Sequence, residues 1–485
     1  MSDPGTRVQA QSIPEDAQCP KLKRALRFRD LAAFYIVTGL SVRWIATAAA
    51  AGPSALVVWV FALLGFFVPL AASVMELSSR YPQEGGLYVW TREAFGDGAG
   101  FLTAWMYWMS NLPYFASFLY FGAGSALFLA GERGRALSAN PWYFMTFAVV
   151  WLAIITAVNI MGLNAGKWLN NVGSVGSWAP IAILIVLAAV SARRFGVATH
   201  FDAATMAPRL SWKDAVFWST IFFAFAGCES GSFMGEEIEN PRRTIPWALL
   251  AGGTVMVLGY LLGTAALLTA LPAGQVSGVD GLMRGAAVLC GRFGLGWLAA
   301  AMALLLMLNA VGGTAAFLSS TSRLPFVAGL DRYLPPVFGH IHPRFRTPWV
   351  AIGVYGLAGM VVAGLGQAGT TVRGAYDVLV SMGIITYFLP YLALFAAMVK
   401  LQGRRAGADV RRVPGGRPVA LALAGVGFVS TVVTIVLSVV PAEEEPHKAV
   451  AVAKVLVSTA VLVGAGAATF AMGRRKRAGM VASGQ

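Results

Sequence analysis

Two charged residues stand deep in apolar stretches: Arg43 in "VTGLSVRWIATAAAAGPS" and Glu229 in "FFAFAGCESGSF". An ionisable side chain in such surroundings is costly, faces an interior or aqueous cavity, and marks a functional site by default. Arginine stays charged at any relevant pH, so Arg43 can pair or select but cannot carry a proton. It has three readings: a partner for a carboxylate such as Glu229, a binder of the acidic side chain of a bound molecule, or a structural residue whose head snorkels outward. A carboxyl can take up and release a proton, so Glu229 reads as a proton carrier or a gate, or else as a structural carboxylate bonded across helices.

The elements that must position these groups are membrane helices. The chain has 485 residues, 57% of them hydrophobic and 12% charged, with a mean hydropathy of +0.67. That is far more apolar than a soluble domain. About twelve apolar runs long enough to cross a hydrocarbon core of roughly 30 Å recur along it, giving an all-α polytopic membrane protein. No cleavable signal is expected, because the first thirty residues are polar and carry Pro4, Pro14 and Pro20, and the apolar run behind them is too long for a signal core. The expected organisation is a cytoplasmic arm over 1–27, a ten-helix core over 28–400, two further helices over 401–473 and a basic cytoplasmic tail over 474–485.

The net charge of +15 could point to nucleic acid, but the basic residues alternate by loop as the positive-inside rule requires. With the N-terminus inside, the arm, the "GRRAGADVRR" loop and the "GRRKR" tail all face the cytoplasm of a plasma (inner) membrane protein. The loop with Arg193, Arg194, Arg209 and Lys213 falls outside in this scheme. Cys19, Cys228 and Cys290 fit no metal spacing and suggest no structural disulfide. The four histidines fall in tails or loops, and there is no phosphate-cradling loop or His-supported nucleophile. An enzyme, a cofactor or a bound metal is therefore not expected, and the oligomeric state is left open.

Each intramembrane charge accompanies a weak point in its helix. Thr38 and Gly39 sit near the centre of the first span, and Gly227 and Gly231 flank Glu229 in the sixth. Glycine often serves only close packing in membrane helices. Gly-interrupted segments at corresponding places in two halves, however, point to inverted repeats with a binding site near the midplane. Spans 1–5 would then repeat as spans 6–10, with helices 1 and 6 broken.

Three longer stretches carry a resemblance: "ELSSRYPQEGGLYVWTREAFG" (76–96), "FAFAGCESGSFMGEEIENPRRTIPWA" (223–248) and "STSRLPFVAGLDRYLPPVFGHIHPRFRTPW" (320–349). In order and spacing they resemble three signatures of the amino acid/polyamine/organocation permease superfamily, over roughly 28–401. The resemblance implies the leucine-transporter-like fold with its 5+5 inverted repeat. It also implies alternating access for amino acids, amines or their decarboxylation products, by exchange or proton-coupled uptake. Carried over residue by residue, Thr38, Gly39 and Leu40, followed by Ser41, would hold a substrate carboxylate with backbone amides. Phe223, Ala224, Phe225 and Ala226, up to Gly227, would supply carbonyls for the ammonium and an aromatic lid. Helix ends suit these roles because free N–H groups attract anions and free carbonyls attract cations. The sequence reads "T-G-L" where the family has a small "G-S-G", so Leu40 could narrow the pocket or displace the contact. Glu229 stands at the family's "G-x-E" position, as a coupling or gating residue together with Arg43.

Trp44, Trp105, Tyr107, Trp108 and Tyr114, with Asn111 among them, are candidates for the pocket wall, and Asn309 adds an amide from span 8. Ser319, Ser320 and Thr321 carry oxygens of the kind that hold sodium, although such hydroxyls commonly bond backbone carbonyls. Glu76, Arg80, Glu236, Glu237, Glu239, Arg242, Arg243, Arg323 and Asp331 form a dense cytoplasmic set that could close an inner gate. The leading reading is a secondary transporter of amino acids, with protons as possible co-substrate and neutral or acidic compounds preferred. Transport of polyamines or another organocation is the alternative, and a channel is the more distant one.

Overall fold

The computed structural model describes residues 24–138, 140–208, 212–276, 281–331, 333–367, 372–404, 407, 409–439 and 448–482. Most of the N-terminal arm, with Cys19, lies outside them, as do Arg209 and residues 440–447. Among the described residues the regular secondary structure is helical, with one isolated bridge between Leu26 and Ile238.

In chain order the helices are α1 (Phe28–Gly39), α2 (Val42–Ala50), α3 (Ser54–Ala62), α4 (Val68–Arg80), α5 (Leu87–Phe95), α6 (Asp97–Leu127), α7 (Glu132–Leu137), α8 (Pro141–Ile160), α9 (Leu163–Phe195) and α10 (Ala203–Met206). After them come α11 (Trp212–Ala224), α12 (Pro241–Ala270), α13 (Gly281–Arg292), α14 (Gly296–Thr321), α15 (Arg323–Leu330), α16 (Trp349–Gln367), α17 (Val372–Leu401), α18 (Gly416–Val439) and α19 (Lys448–Ala482). Seven helical segments among the described residues are long and apolar enough to cross a membrane. Each of the other expected spans also falls on a helix. Helices also stand between the expected spans: α5, between the second and third, and α13, between the seventh and eighth, with the shorter α7, α10 and α15 in other connections.

Span 1 is broken into α1 and α2. Leu40 and Ser41 leave the helical region (φ −92°, ψ 87° and φ −94°, ψ 106°), and α1 ends at the low-propensity Thr38-Gly39 pair. Span 6 breaks after Ala224 and continues as the 3₁₀ segment Ser230–Glu237. Gly227 turns the chain with φ +105°, and a Cβ there would lie 3.0 Å from the Thr38 carbonyl oxygen. Only glycine fits that crossing, where the two breaks touch.

Burial separates the centre from the rim. The first span is 78% buried, whereas Pro141–Ile160 and Gly416–Ser438 are each 28% buried, which puts α8 and α18 at the lipid-facing edge. Around span 1, α1 packs on α12 and α9, α14 packs on α9 and α6, and α6 packs on α17. A π-helical turn, Leu63–Phe67, joins α3 to α4. Such a turn offsets the backbone ladder, and Ser430 of α18 donates to the Gly65 carbonyl there (2.7 Å).

Candidate functional site

The two breaks are tied together by a residue that no motif pointed to. Tyr260 of α12 reaches the Gly39 carbonyl (2.7 Å) and the Ala224 carbonyl (2.9 Å), while the Ser41 amide donates to its hydroxyl oxygen (3.1 Å). One phenol proton serves one carbonyl at a time, so a single side chain holds the end of α1, the start of α2 and the end of α11. The ring is fixed by Trp59, stacked at 4.3 Å and 8°, and by the edge of Phe225 at 5.4 Å. Trp59 is itself anchored by its indole N–H on Thr264 (3.0 Å).

Beside this staple lies a cavity of about 20 Å³, lined by Thr38, Gly39, Ser41, Trp44, Tyr114, Phe223, Ala224, Ala226, Phe317 and Tyr387. That volume holds roughly one water molecule, so the site is closed and must open to take anything larger. Phe223 lies edge-on between Trp44 (5.6 Å) and Tyr387 (5.4 Å) and roofs the cavity across both breaks.

The Ser41 amide is taken by Tyr260, so the amides left at the first break are those of Val42 and Arg43, in the first turn of α2, where intrahelical carbonyls cannot reach. Leu40 differs from expectation. Its amide is taken by the Ile36 carbonyl (2.8 Å), and its side chain is buried against Gly259, off the cavity. With Leu40 capped on Ile36 and Ser41 on Tyr260, the free donors begin at Val42. Phe225 also turns away, toward Trp59 and Phe67, and contributes backbone only.

Glu229 is fully buried and held by a cage of phenols. Tyr107 of α6 hydrogen-bonds to Oε1, Tyr391 of α17 donates to the same oxygen (2.9 Å), Tyr387 stands 3.5 Å from it, and the Gly227 amide donates to Oε2 (3.3 Å). Tyr107 and Tyr387 are themselves 2.6 Å apart. Tyr387 and Tyr391 share a face of α17 by their i, i+4 spacing, a signal that is present in "TYFLPYL" and easily read as ordinary packing.

Arg43 does not pair with Glu229, nor does it snorkel outward. It is 1% exposed, and its guanidinium lies over Trp44 (4.4 Å), Tyr114 (4.8 Å) and Phe118 (5.3 Å), with one hydrogen bond to Ser117 Oγ (3.2 Å). The rotation of α2 turns the side chain toward Tyr114, Ser117 and Phe118 of α6, while Glu229 is turned toward Tyr107 of α6 and Tyr391 of α17. No carboxylate among the described residues meets it, and its Nε has no hydrogen-bond partner. Each aromatic face contributes about 0.5–2 kcal/mol toward holding the cation.

Five proposed wall residues do not line the cavity: Tyr107, which serves Glu229 instead, and Trp105, Trp108, Asn111 and Asn309. Trp105 donates to the Leu462 carbonyl of α19 (3.0 Å), and the Trp108 carbonyl accepts from Tyr355 of α16 (2.6 Å). Asn309 binds Ser177 and the Gly173 carbonyl of α9, and Asn111 bonds back to the Tyr107 carbonyl (2.8 Å). The site-facing stripe of α6 is Tyr107, Tyr114, Ser117 and Phe118, and Trp105 and Trp108 fall on another face. The Ser320 and Thr321 hydroxyls are engaged by the Phe317 carbonyl of their own helix (3.2 and 2.5 Å).

The three quoted motifs meet at one end of the helices. Arg323 is 1% exposed and grips Glu237 through Nε (2.9 Å) and a terminal nitrogen (2.8 Å), with Glu84 3.8 Å away. The Gly85 amide donates to the Phe233 carbonyl (3.0 Å), and the Glu236 amide donates to Glu84 (3.0 Å). Burial, then the neighbouring Glu237, pushes the Glu84 carboxyl well above the usual carboxylate range. Glu76 and Arg80 form a second buried pair, in which Glu76 also accepts from Gln402 (2.8 Å) and the Val413 amide (2.9 Å). Asp331 takes Tyr88 and Arg92, while Glu239 and Arg242 make exposed pairs with Arg27 and Asp409.

Comparison with known proteins places this geometry. The family model described as "Amino acid permease" matches residues 26–465. An uncharacterized transporter of Legionella pneumophila is 27% identical over 88% of this chain and 92% of its own length. A "probable agmatine/putrescine antiporter" of Lactococcus lactis is 24% identical over 74% of this chain and 75% of its own. A serine/threonine exchanger of Bacillus subtilis is 26% identical over 78% and 83% respectively.

Proposed function

Since the chain belongs to the amino acid permease family, we propose that this membrane transporter moves amino acids by alternating access through the cavity where its two helix breaks meet. The observation that carries the reading is the Tyr260 staple, which joins Gly39, Ser41 and Ala224 in one hydrogen-bonded unit beside the cavity. The substrate carboxylate sits on the amides of 42 and 43, and the ammonium on carbonyls of 224–226. These are the attractive ends of their helices. Phe223 closes over the substrate.

Glu229 is the coupling residue. It lies at the second break and is reached by hydroxyls from α6 and α17, so a change in its proton would redirect bonds between the helices that must move. Arg323 with Glu237 and Glu84 closes the cytoplasmic side. In this reading 28–400 is the transport core, 401–473 supports it, both termini face the cytoplasm, and the membrane is the plasma (inner) membrane. A second reading, transport of amines such as agmatine or putrescine, draws on the named Lactococcus relative and on Glu229, a buried carboxyl whose partners among the described residues are hydroxyls and an amide rather than a cation.

The test is uptake and counterflow in proteoliposomes against acidic, neutral, basic and decarboxylated amino acids, with and without a pH gradient. Transport of none of them would end the reading. Glu229→Gln should abolish gradient-driven accumulation while leaving exchange, and intact accumulation in that variant would remove Glu229 from coupling.

A further inference from the structure

The protein's other deeply buried arginines are matched by carboxylates: Arg323 by Glu237 and Arg80 by Glu76. Arg43 is not. It is as buried as Arg323, yet among the described residues it has three aromatic faces, one serine hydroxyl and an unpartnered Nε. Two of those faces, Trp44 and Tyr114, are also walls of the cavity. The guanidinium therefore stands one side chain behind the site, its charge unneutralised by the protein.

Resting on the transport reading above, we infer that Arg43 selects the substrate: its missing partner is an anionic group of the transported molecule. The site accordingly takes amino acids carrying a second carboxylate in preference to dibasic amino acids and polyamines. An aromatic box stabilises a guanidinium without consuming its hydrogen-bond donors, so the fork stays available for bidentate contact with a carboxylate. The first-turn amides of α2 and the Arg43 side chain belong to one helix end, so the two carboxylates of such a substrate would meet one element. A like charge placed beside the site rejects cationic competitors as an added penalty. Glu229 does not cancel this field locally, because its own donors are Tyr107, Tyr391 and the Gly227 amide.

The experiment is counterflow by the intact chain in proteoliposomes with L-glutamate, L-aspartate, L-serine, L-leucine, L-arginine and agmatine. Expected for the wild type is a preference of at least about tenfold for the two acidic substrates over arginine and agmatine, as a buried charge pair completed by substrate implies. Arg43→Met, which fills the aromatic box without charge, and Arg43→Gln should each lower acidic transport relative to serine or leucine by at least about tenfold, with Arg43→Lys between. A wild type that moves neutral or dibasic compounds but neither acidic one overturns the inference and leaves the transport reading standing. So do variants that lower every substrate by the same factor. Transport of nothing in the panel overturns both. If the variants fail to fold, the wild-type panel decides alone.

Discussion

Tyr260→Phe removes one oxygen atom and tests whether the two helix breaks work as a unit. The phenylalanine ring keeps the stack on Trp59 and the contact with Phe225, so packing is preserved. What goes is the acceptor for the Ser41 amide and the donor shared by the Gly39 and Ala224 carbonyls. A buried backbone group left without a partner costs about 1–3 kcal/mol. One amide and one carbonyl at a time then give a loss of about 2–4 kcal/mol, with the carbonyl at the lower end because its second lone pair is still available. The loss falls on the arrangement that presents the first-turn amides of α2 opposite the end of α11. By population shift, the competent fraction drops and the apparent KM rises by the inverse of that fraction. At 1.4 kcal/mol per decade, the expected rise is about thirtyfold or more. A water entering the gap would soften it to about tenfold. The assay is counterflow KM in proteoliposomes, run beside thermal unfolding in detergent. A variant with wild-type KM and wild-type stability would refute the staple, and equal losses in both would make Tyr260 a stability residue rather than an organiser of the site.

Gly227→Ala forces a side chain into φ +105° and against the Thr38 carbonyl; strain of about 1–3 kcal/mol should strip transport while the protein still purifies as a monodisperse species, and a wild-type rate would contradict the described crossing. Arg323→Met leaves Glu237 as an uncompensated buried charge and should cost about 3–5 kcal/mol of stability. Adding Glu237→Met should recover most of that, and additive losses in the double mutant cycle would show that the pair is not coupled. The Glu84 carboxyl is raised in the closed gate and has the ordinary value, ~4.3, once hydrated. Closure therefore gains from protonation, is fully supported below that ordinary value, and loses support as pH rises through the raised one. Hydrogen exchange of the amides in 230–237, corrected for its intrinsic pH dependence, should quicken with rising pH in the wild type and show no such trend in Glu84→Gln; a trend surviving in the variant would assign the effect elsewhere.

Most of the architecture was legible because it is written in local properties. Apolar run length sets the spans, and the Thr38-Gly39 pair and the glycines Gly227 and Gly231 mark where spans 1 and 6 lose their regular helix. The placement of Glu237 and Arg323 followed from motif order, although their bidentate geometry did not. The cavity walls were less legible because a helix presents every third or fourth residue to a given neighbour, and which stripe depends on its rotation. Trp105 and Trp108 read as wall residues and face α19 and α16 instead. Tyr260, Tyr387 and Tyr391 lie in apolar helices where tyrosine is common, and their partners are 36 to 221 residues away in sequence. Nothing near them marks a hydroxyl as more than packing.

The two charges that first drew attention are kept apart by the same helix. α6 gives Tyr107 to Glu229, and Ser117, Tyr114 and Phe118 to Arg43. Ten residues separate the first of these contacts from Ser117, about 15 Å along the axis at 1.5 Å per residue. The two groups are not paired, and each is surrounded by its own donors or rings. Pro113 lies between the two patches inside α6, where it removes one ladder hydrogen bond and leaves the helix easier to bend. A substrate anion drawn to Arg43 and a proton change at Glu229 would thus act on opposite arms of one weakened helix. Bending at Pro113 is the simplest motion by which either event could be felt at the other. Pro113→Ala, which restores the amide, should therefore weaken the dependence of acidic-substrate uptake on the pH gradient more than it weakens exchange, and equal effects on both would separate the two sites.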